Sequence, residues 1–554
     1  MRKTRKALIV ILSLAMCLSL FAACQQTNDD TPGSNTSAPG GDTTPAGNTT
    51  APESTPPVHN PEWAAPPPED AKYADHIELL LDATTIAVIN IHNPASSGAS
   101  VNWAYRMVFN TLTYEDLIDE NELMPMLATR WDTDDYQNYT FWLRDDVYFH
   151  NGEKFTADDV VFTCEGSKTF GVGAPAYDIW NLVDTVTAVN DYEVHFKLKN
   201  VDVEFAYRLA VPFAAVVNRK AATENDVEGY YIGTGPYRIA EFSSRDYVTF
   251  ERFDDYWGDL PPTRTQTWRT IPEISTRAIM LQNGEADICF EVSEGDLQMF
   301  RSDTDNYTVF EVLQNNPQSL HFNMEDPITG DYNFRMAVAH AINVEEITLI
   351  ALGANGIAET EGTIWGYYTI YRNHGIPMIQ QNLDLAKEYL EKSTYDGSEV
   401  EIFTALGNNI RAAEAIQEQL TAIGVRTRVE QTDIPSFLAA TTWADNNKQM
   451  IVWSNVLSAR TSEYRNNYYA PSVQNRSKFT NEELLDLLDR EPNVPFGPEK
   501  QQLCYRMQEI IAENIPSLCL FYRLQCIVAD RGIGGVRLPW TNFCDLSMMY
   551  KILD

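Results

Sequence analysis

The chain has 554 residues, of which 44% are hydrophobic and 11% aromatic, so it carries enough apolar surface for several packed domains and is not globally disordered. Its 41 Lys and Arg stand against 78 Asp and Glu, and the resulting formal charge of −37 repels phosphate backbones, which argues against a nucleic-acid partner. Eight cysteines over this length are too few for a disulfide scaffold.

The N-terminus carries a secretion signal over residues 1–23. Four basic side chains between positions 2 and 6 precede the apolar run 7–21, and two alanines then precede Cys24. The run is shorter than the roughly 20 residues of a spanning helix, so it predicts a cleaved signal rather than a membrane span. Residues 21–24 (FAAC) resemble a bacterial lipobox with Phe in place of the usual Leu, which implies lipidation of Cys24; ordinary secretion is the alternative.

Residues 24–70 predict a disordered tether. They are dominated by Thr, Pro, Gly, Asn and Ala and contain almost no aliphatic side chain to bury. We therefore expect an extracytoplasmic protein, lipid-anchored through Cys24 to the outer face of the cell membrane, whose tether holds a folded part away from that membrane.

From about residue 71 the pattern alternates between short β-rich runs and helical stretches, which predicts an α/β protein. Residues 139–149 (YTFWLRDDVYF) lead through His150, Asn151 and Gly152 into a second apolar run, and Asn-Gly between such runs predicts a hairpin turn. Thr156 then precedes Val160 at the spacing of a helix N-terminus, so the hairpin leads into a helix.

Residues 400–429 predict a βαβ unit. A strand over 400–404 is followed by a helix over 411–423, which Gly424 ends, and by a second strand from 425. Short connections through a helix suit parallel strands. Further amphipathic helices are predicted over 334–342, 383–392 and 481–490, the last capped by Thr480, and we find no repeat of 20 to 50 residues.

An ordered set of motifs runs along the chain. Residues 123–131 (LMPMLATRW), 139–152 (YTFWLRDDVYFHNG) and 156–160 (TADDV) are followed by 233–237 (GTGPY) and 253–258 (FDDYWG). Together they resemble the family 5 extracellular solute-binding proteins of ABC importers, the oligopeptide, dipeptide and nickel group. Order and spacing agree from about residue 75 to the end of the chain.

The resemblance implies a two-lobed, periplasmic-binding-protein-like (Venus-flytrap) fold with an extra inserted subdomain in the N-terminal lobe. The implied units are lobe I (75–110, 231–318 and 520–554), the inserted subdomain (111–230) and lobe II (319–519). A secreted, lipid-tethered acidic protein of this size is what the receptor of an importer requires, so the two lines of reasoning agree.

Other candidate sites favour structural roles. Gly233 and Gly235 lack the third glycine of a phosphate loop and are followed by Pro236, so they indicate a turn. The eight histidines show no metal-ligand spacing, and His150 is expected to satisfy backbone groups. The sequence therefore predicts no cofactor, no metal and no catalytic residue, and a protein that is not an enzyme.

Four cysteines cluster near the C-terminus, at positions 504, 519, 526 and 544. They are expected to act as small buried side chains, and one disulfide among them is the alternative.

A receptor cleft needs aromatic platforms and polar groups that contact varied solutes. The candidate ligand-binding residues are Asn93, Trp365, Tyr367, Trp453, Ser454, Asn455 and Trp540. Peptide-binding relatives anchor an amino terminus with an Asp after a Gly-Trp or Trp-Cys-Ala element, whereas the matching stretch 450–458 (MIVWSNVLS) has no acid. Trp453 and Asn455 would then suit an uncharged ligand such as an oligosaccharide; a core role for Trp453 is the alternative.

The leading hypothesis is a monomeric receptor that captures a peptide or similar-sized polar solute between two lobes and delivers it to an ABC permease. Closure would be driven by the extra contacts of the ligand in the closed state. An oligosaccharide receptor of the same family is the first alternative. A secreted hydrolase and a signalling co-receptor are alternatives from other classes.

Overall fold

The computed structural model describes residues 61–81, 86–93, 96, 99–116, 122–170, 176–362, 366, 369–405, 407–454, 460, 461, 463–470, 472, 474–539, 541 and 544–553. The signal, Cys24 and most of the tether lie outside the described residues. So do four of the candidate ligand-binding residues, namely Trp365, Tyr367, Asn455 and Trp540.

Strands and helices alternate along the chain, as the α/β pattern predicts. The strands are β1 (His76–Leu81), β2 (Thr113–Asp116), β3 (Glu122–Pro125), β4 (Ala128–Asp132), β5 (Asn138–Leu143), β6 (Val183–Asn190), β7 (Glu193–Leu198), β8 (Tyr237–Ser243), β9 (Tyr247–Arg252), β10 (Thr265–Thr270), β11 (Ile288–Phe290), β12 (Tyr307–Leu313), β13 (Gln318–Phe322), β14 (Gly356–Ala358), β15 (Val400–Thr404), β16 (Thr427–Gln431), β17 (Met450–Ser454), β18 (Ser517–Asp530), β19 (Ile533–Gly534) and β20 (Tyr550–Lys551). The helices are α1 (Ala99–Val108), α2 (Ala157–Phe170), α3 (Tyr177–Trp180), α4 (Phe205–Arg208), α5 (Arg219–Glu224), α6 (Ile274–Gln282), α7 (Glu294–Ser302), α8 (Tyr332–Ala341), α9 (Val344–Leu352), α10 (Leu383–Lys392), α11 (Gly407–Thr421), α12 (Ile434–Ala440), α13 (Glu463–Tyr468), α14 (Glu482–Arg490) and α15 (Pro498–Asn514).

The long strand β18 organises the largest sheet. Its first residues pair with β13, its middle with β14, and its last half with β12 and β11. The sheet has 12 strands with the order β16-β15-β17-β13-β18-β11-β1-β10-β9-β8, and β12 and β14 join it through β18. A separate antiparallel sheet has the order β4-β5-β7-β6.

Among the described residues there are six hydrophobic cores, and the four that organise the sheets and the longest helices are described in turn. The first is built from β1, α1, β9–β12 and the last half of β18. The second is built from β13, β15, β17, α8, α9 and α11. The third lies between the four-stranded sheet and α2. The fourth lies between β18 and the helices α13, α14 and α15.

Two bodies can be defined from this arrangement. The first body, residues 61–313 and 524–553, holds the first and third cores, and the second body, residues 318–521, holds the second core and most of the fourth. Val216 faces the third core, whereas Ala215, Val217 and Tyr230 pack in the first core although they fall inside the predicted inserted subdomain. Part of the segment predicted as tether is folded, since Trp63 packs edge-to-face on Phe310 with ring centroids 5.2 Å apart.

The local sequence signals are largely confirmed. The Phe149 amide donates to the Glu153 carbonyl at 2.8 Å, and Gly152 takes a φ of 81°, which closes the predicted hairpin turn. Helix α2 begins directly after Thr156, whose amide and hydroxyl both donate to the Asp159 carboxylate. β15 and β16 pair in parallel across α11, and Gly424 has a φ of 89°.

The predicted cap of helix α14 is wrong. The helix begins at Glu482, and the side chain of Asn481, not of Thr480, accepts the Leu484 amide. Both residue types are good caps, so the pattern alone could not separate two adjacent candidates.

Among the described residues, no single helix combines the length and apolar composition needed to cross a bilayer. One pair, Tyr332–Ala341 with Val344–Asn355, meets both criteria together but is bent by 66° between its members.

Candidate ligand-binding cleft

The chain passes between the two bodies at two neighbouring places. β12 ends at Leu313, opposite Leu524 of β18, and β13 begins at Gln318, opposite Phe521. The segment between Leu313 and Gln318 therefore crosses beside the middle of β18. Paired crossing segments of this kind are where two rigid bodies rotate about a hinge, because few residues have to change their backbone angles.

A buried network of charged side chains fixes the crossing part of β18 to the second body. The Arg372 guanidinium donates to both oxygens of Glu359 at 2.9 Å, to Glu361 at 2.7 Å and to the Tyr522 hydroxyl at 2.9 Å. The Tyr522 hydroxyl in turn donates to Glu359 at 2.5 Å. Burial raises the pKa of Tyr522, so the hydroxyl keeps its proton and remains a donor.

Contacts with Asn315 hold Gly366 and Thr369, which lie in and next to the segment that contains Trp365 and Tyr367, beside the crossing. Gly366, between them in sequence, packs so closely on the crossing segment that an added Cβ would lie 2.2 Å from the Asn315 side-chain oxygen. Asn315 also donates to the Thr369 hydroxyl at 3.2 Å. The segment is thus held beside the crossing, although the two aromatic side chains themselves lie outside the described residues.

Trp453 and Ser454 form the carboxyl end of β17. They pair with Ser319 and Gln318, so they lie at the end of β13 that adjoins the crossing segment. Trp453 stacks on Phe437, with ring centroids 4.3 Å apart, and is only 9% exposed. Most of its ring is therefore packed in the second body, and Ser454 points to the other face because side chains alternate along a strand.

Asn93 lies in the first body, in the turn before α1. Its amide donates to the Asn90 carbonyl at 2.9 Å, and its carbonyl accepts from the Ser96 amide at 2.8 Å. The structure thus brings Trp453 and Ser454 together at the crossing and places Asn93 on the opposite body.

The bodies meet a second time at a cluster that we call the clasp. Its members are Glu115, Glu204 and Tyr207 of the first body and Arg460, Thr461, Glu491, Phe496 and Lys500 of the second. Arg460 lies 3.9 Å over the Tyr207 ring and pairs with Glu115. A backbone bond of 3.2 Å from Val203 to Pro492 supports the same contact.

Charged side chains are crowded at the centre of the clasp. The Lys500 ammonium is fully buried and lies 2.7 Å from Glu491 and 3.7 Å from Glu204, whose second carboxylate oxygen lies 3.7 Å from Arg208. Thr461 adds a hydroxyl 3.0 Å from Glu204 that also contacts Glu491. Burial and the negative charge of Glu204 raise the pKa of Glu491.

Neither the clasp nor the Arg372 network was found by sequence reasoning. One signal for the clasp was present, because Lys500 shares the helical spacing of the buried Cys504, Met507 and Ile511, which places a cation on the apolar face of α15. The acidic members of the clasp, Glu115, Glu204 and Glu491, come from distant segments of the chain, so no local sequence pattern indicates that they lie together.

The motifs with predicted structural roles behave as expected. An added Cβ at Gly233 would lie 1.9 Å from the Val108 carbonyl oxygen, so the turn requires glycine where it passes the end of α1. The His150 ring lies 3.0 Å from the Gly235 carbonyl and accepts from the Gly233 amide, so it satisfies the backbone of that turn. Burial lowers the pKa of His150 to about 4, which keeps the ring neutral.

Within the described part of the chain, no group of three or more His, Cys, Asp and Glu side chains is arranged to hold a metal ion. The four C-terminal cysteines are buried with free thiols, as small packing residues.

Comparison with known proteins places this geometry in a family. The family model described as bacterial extracellular solute-binding proteins, family 5 Middle, matches residues 122–476. The dipeptide-binding protein of Escherichia coli (strain K12) is 23% identical over 471 residues, which cover 77% of this chain and 85% of that protein.

Two solved structures share the fold. CtaP, an ABC transporter substrate-binding protein from Listeria monocytogenes, matches with a TM-score of 0.76 and 24% identity over 87% of this chain and 100% of its own. DppA from Helicobacter pylori, solved in complex with the peptide STSA, matches with a TM-score of 0.72 and 22% identity over 87% of this chain and 99% of its own.

Proposed function

The chain belongs to family 5 of the bacterial extracellular solute-binding proteins, and from that premise we propose that it is the peptide receptor of an ABC importer. It captures a peptide or similar-sized polar solute between its lobes and delivers the solute to the membrane permease. Relatives named as dipeptide-binding and peptide-bound proteins support this choice of solute.

The observation that carries the proposal is the double contact between the two bodies. They are joined covalently at neighbouring crossing segments and touch again at the clasp, whose contacts are all non-covalent. Such an arrangement can open at the clasp while bending at the crossing. A solute bound between the bodies favours the closed state by the contacts that it makes only there.

We assign the cleft to the segments beside the crossing. Ser454 is proposed to face the solute from the second body and Asn93 from the first. Trp365, Tyr367, Asn455 and Trp540, which lie outside the described residues, are proposed as further ligand contacts. Trp453 contributes at most its exposed edge, because its ring is stacked on Phe437.

The remaining assignments follow the sequence. We assign lobe I and the inserted subdomain to the first body and lobe II to the second; the packing of Ala215 and Val217 in the first core supports an earlier return of the chain to lobe I than residue 231. The protein acts outside the cytoplasm as a monomer, tethered to the membrane by lipid on Cys24.

Native mass spectrometry of the protein as purified tests the solute. We expect a bound mass in the range of short peptides, and after its removal a peptide pool should raise the melting temperature. A ligand at about 100 times its Kd stabilises the folded protein by about 2.7 kcal/mol. A rise with an oligosaccharide pool alone would reassign the solute, and a chromogenic peptide substrate turned over by the protein would support the hydrolase instead.

The Cys24→Ala variant tests the lipid anchor separately from the solute. It should keep peptide binding but lose metabolic labelling with palmitate and leave the membrane fraction, because no acyl chain is attached. Unchanged palmitate labelling would refute the anchor and leave the receptor proposal standing.

A further inference from the structure

The stretch of chain around Arg372 lies along helix α15 of the second body. Gln508 of that helix is buried; its side-chain oxygen accepts from the Asn373 amide at 2.7 Å, and its side-chain nitrogen donates to the Tyr371 carbonyl at 2.7 Å. One glutamine therefore holds the backbone on both sides of Arg372. Because Arg372 donates to the Tyr522 hydroxyl of the crossing strand β18, the helix supports the charged network at the crossing.

The same helix reaches the clasp near its other end. Lys500, Cys504 and Gln508 are four residues apart and all buried, so they lie on one face of α15. Eight residues of α-helix span about 12 Å, which is the length of helix between the clasp lysine and the glutamine that supports Arg372. Helix α15 therefore connects the clasp to the network at the crossing.

Tyr371 makes a second and shorter connection between the two places. Its backbone has a φ of 59°, in the left-handed region that a residue as large as tyrosine adopts only where surrounding contacts hold it. Its carbonyl is held by Gln508, and its hydroxyl accepts from the Gly497 amide at 2.7 Å. The side chain thus joins the residue that precedes α15 to the backbone beside Arg372.

Gly497 follows directly on a member of the clasp. The preceding residue, Phe496, packs edge-to-face on Tyr207 of the first body with ring centroids 5.5 Å apart, and the Lys500 ammonium lies 4.8 Å from the Phe496 ring centroid. Gly497 has a φ of 149°, which favours glycine, and an added Cβ there would meet open space. This turn can therefore change its backbone angles when Phe496 loses its contact with the first body.

We propose that Tyr371 is a positioning residue that couples the clasp to the crossing, an inference that rests on the proposed receptor function. With the clasp closed, Phe496 is fixed against the first body, and the Gly497 amide meets the Tyr371 hydroxyl. This bond keeps the backbone beside Arg372 in its left-handed conformation. Opening the clasp frees the turn, so Tyr371 loses its donor and Arg372 loses part of its support. The clasp and the network at the crossing therefore form and break together.

Tyr371→Phe tests this role, because it removes the hydroxyl and keeps the ring. Its radius of gyration without ligand, measured by X-ray scattering, should exceed that of the wild type, and calorimetry with a tetrapeptide library should show about fivefold weaker binding. Tyr395→Phe is the matched control, since the Tyr395 hydroxyl accepts the Arg426 amide at 2.8 Å beside the second core. It should change neither the radius nor the affinity. Equal changes in both variants, or none in Tyr371→Phe, would overturn the inference.

Tyr207→Leu tests whether the coupling runs through the clasp. Because this change already frees Phe496 from the first body, adding Tyr371→Phe to it should weaken binding by less than about twofold further. Effects of the two changes that multiply would show that the tyrosines act independently and would overturn the inference. A wild type that binds no peptide would refute the receptor function instead, and the radii of the ligand-free variants would still decide the coupling.

Discussion

At the scale of single residues, His92 shows how burial fixes a protonation state. The ring has no exposed surface and lies 2.9 Å from the Thr163 carbonyl and 3.0 Å from the Tyr230 hydroxyl. One ring nitrogen donates to the carbonyl, and the other accepts from the hydroxyl, so a neutral imidazole satisfies both contacts. Burial lowers its pKa to about 4, although the bond to Thr163 opposes that shift.

This lowered pKa predicts a loss of stability in acid. Because the unfolded chain takes up the proton near pH 6.5 and the folded protein only near pH 4, His92 contributes stability that is complete above pH 6.5 and lost as pH falls to 4. The expected slope is about 1.4 kcal/mol per pH unit. In urea titrations from pH 7 to 4, His92→Gln should be less stable than the wild type at pH 7 but lose less stability on acidification.

The control is His195→Gln, because the His195 side chain is 49% exposed. Its stability should follow that of the wild type across the same range. A His92→Gln variant whose acid limb runs parallel to the wild type would contradict the assignment of this proton to His92.

At the scale of helices and strands, the sequence correctly predicted those features that depend on residues close together in the chain. The Asn-Gly turn and the βαβ unit depend on residues a few positions apart, and both are found. Strand β18 could not be foreseen as a single element of 14 residues, because it is buried on both faces and shows no alternation. The first half of β18 pairs with β13 of the second body and its last half with β12 of the first body. These pairings are visible only in the three-dimensional structure.

The start of helix α14 offers a test at this scale. Asn481→Ala should lower the free energy of unfolding by about 1 kcal/mol, because the Leu484 amide loses its acceptor. Thr480→Ala should change it by less than about 0.5 kcal/mol, since Thr480 makes no cap contact in the described structure. Denaturant titrations of the two variants measure both changes. A larger loss of stability in Thr480→Ala than in Asn481→Ala would show that Thr480 is the cap, as the sequence pattern predicts.

At the scale of the whole molecule, the candidate site was only partly accessible from sequence. The motif resemblance gave the lobes and pointed to Trp453 and Ser454, which do lie beside the crossing. It could not give the clasp, because Glu115, Glu204 and Lys500 are brought together only by the packing of two bodies. Pairing across such distances depends on the whole fold, which no local pattern encodes.

The clasp therefore supplies the last prediction, which concerns closure. In Lys500→Met, Glu491 would lose its cation and face Glu204, which keeps Arg208 at 3.7 Å, in the closed form, whereas opening exposes both carboxylates to water. The buried negative charge that Lys500 no longer neutralises penalises the closed state, so more of the protein is open before ligand arrives, and apparent affinity falls in proportion to the closed fraction. We expect peptide affinity to drop about tenfold or more and the radius of gyration of the ligand-free protein, measured by X-ray scattering, to rise.

Adding Glu204→Gln and Glu491→Gln to the same variant should restore both values towards those of the wild type, because the charges that oppose closure are gone. Unchanged affinity and scattering in Lys500→Met would mean that the clasp is static packing and that closure is governed elsewhere.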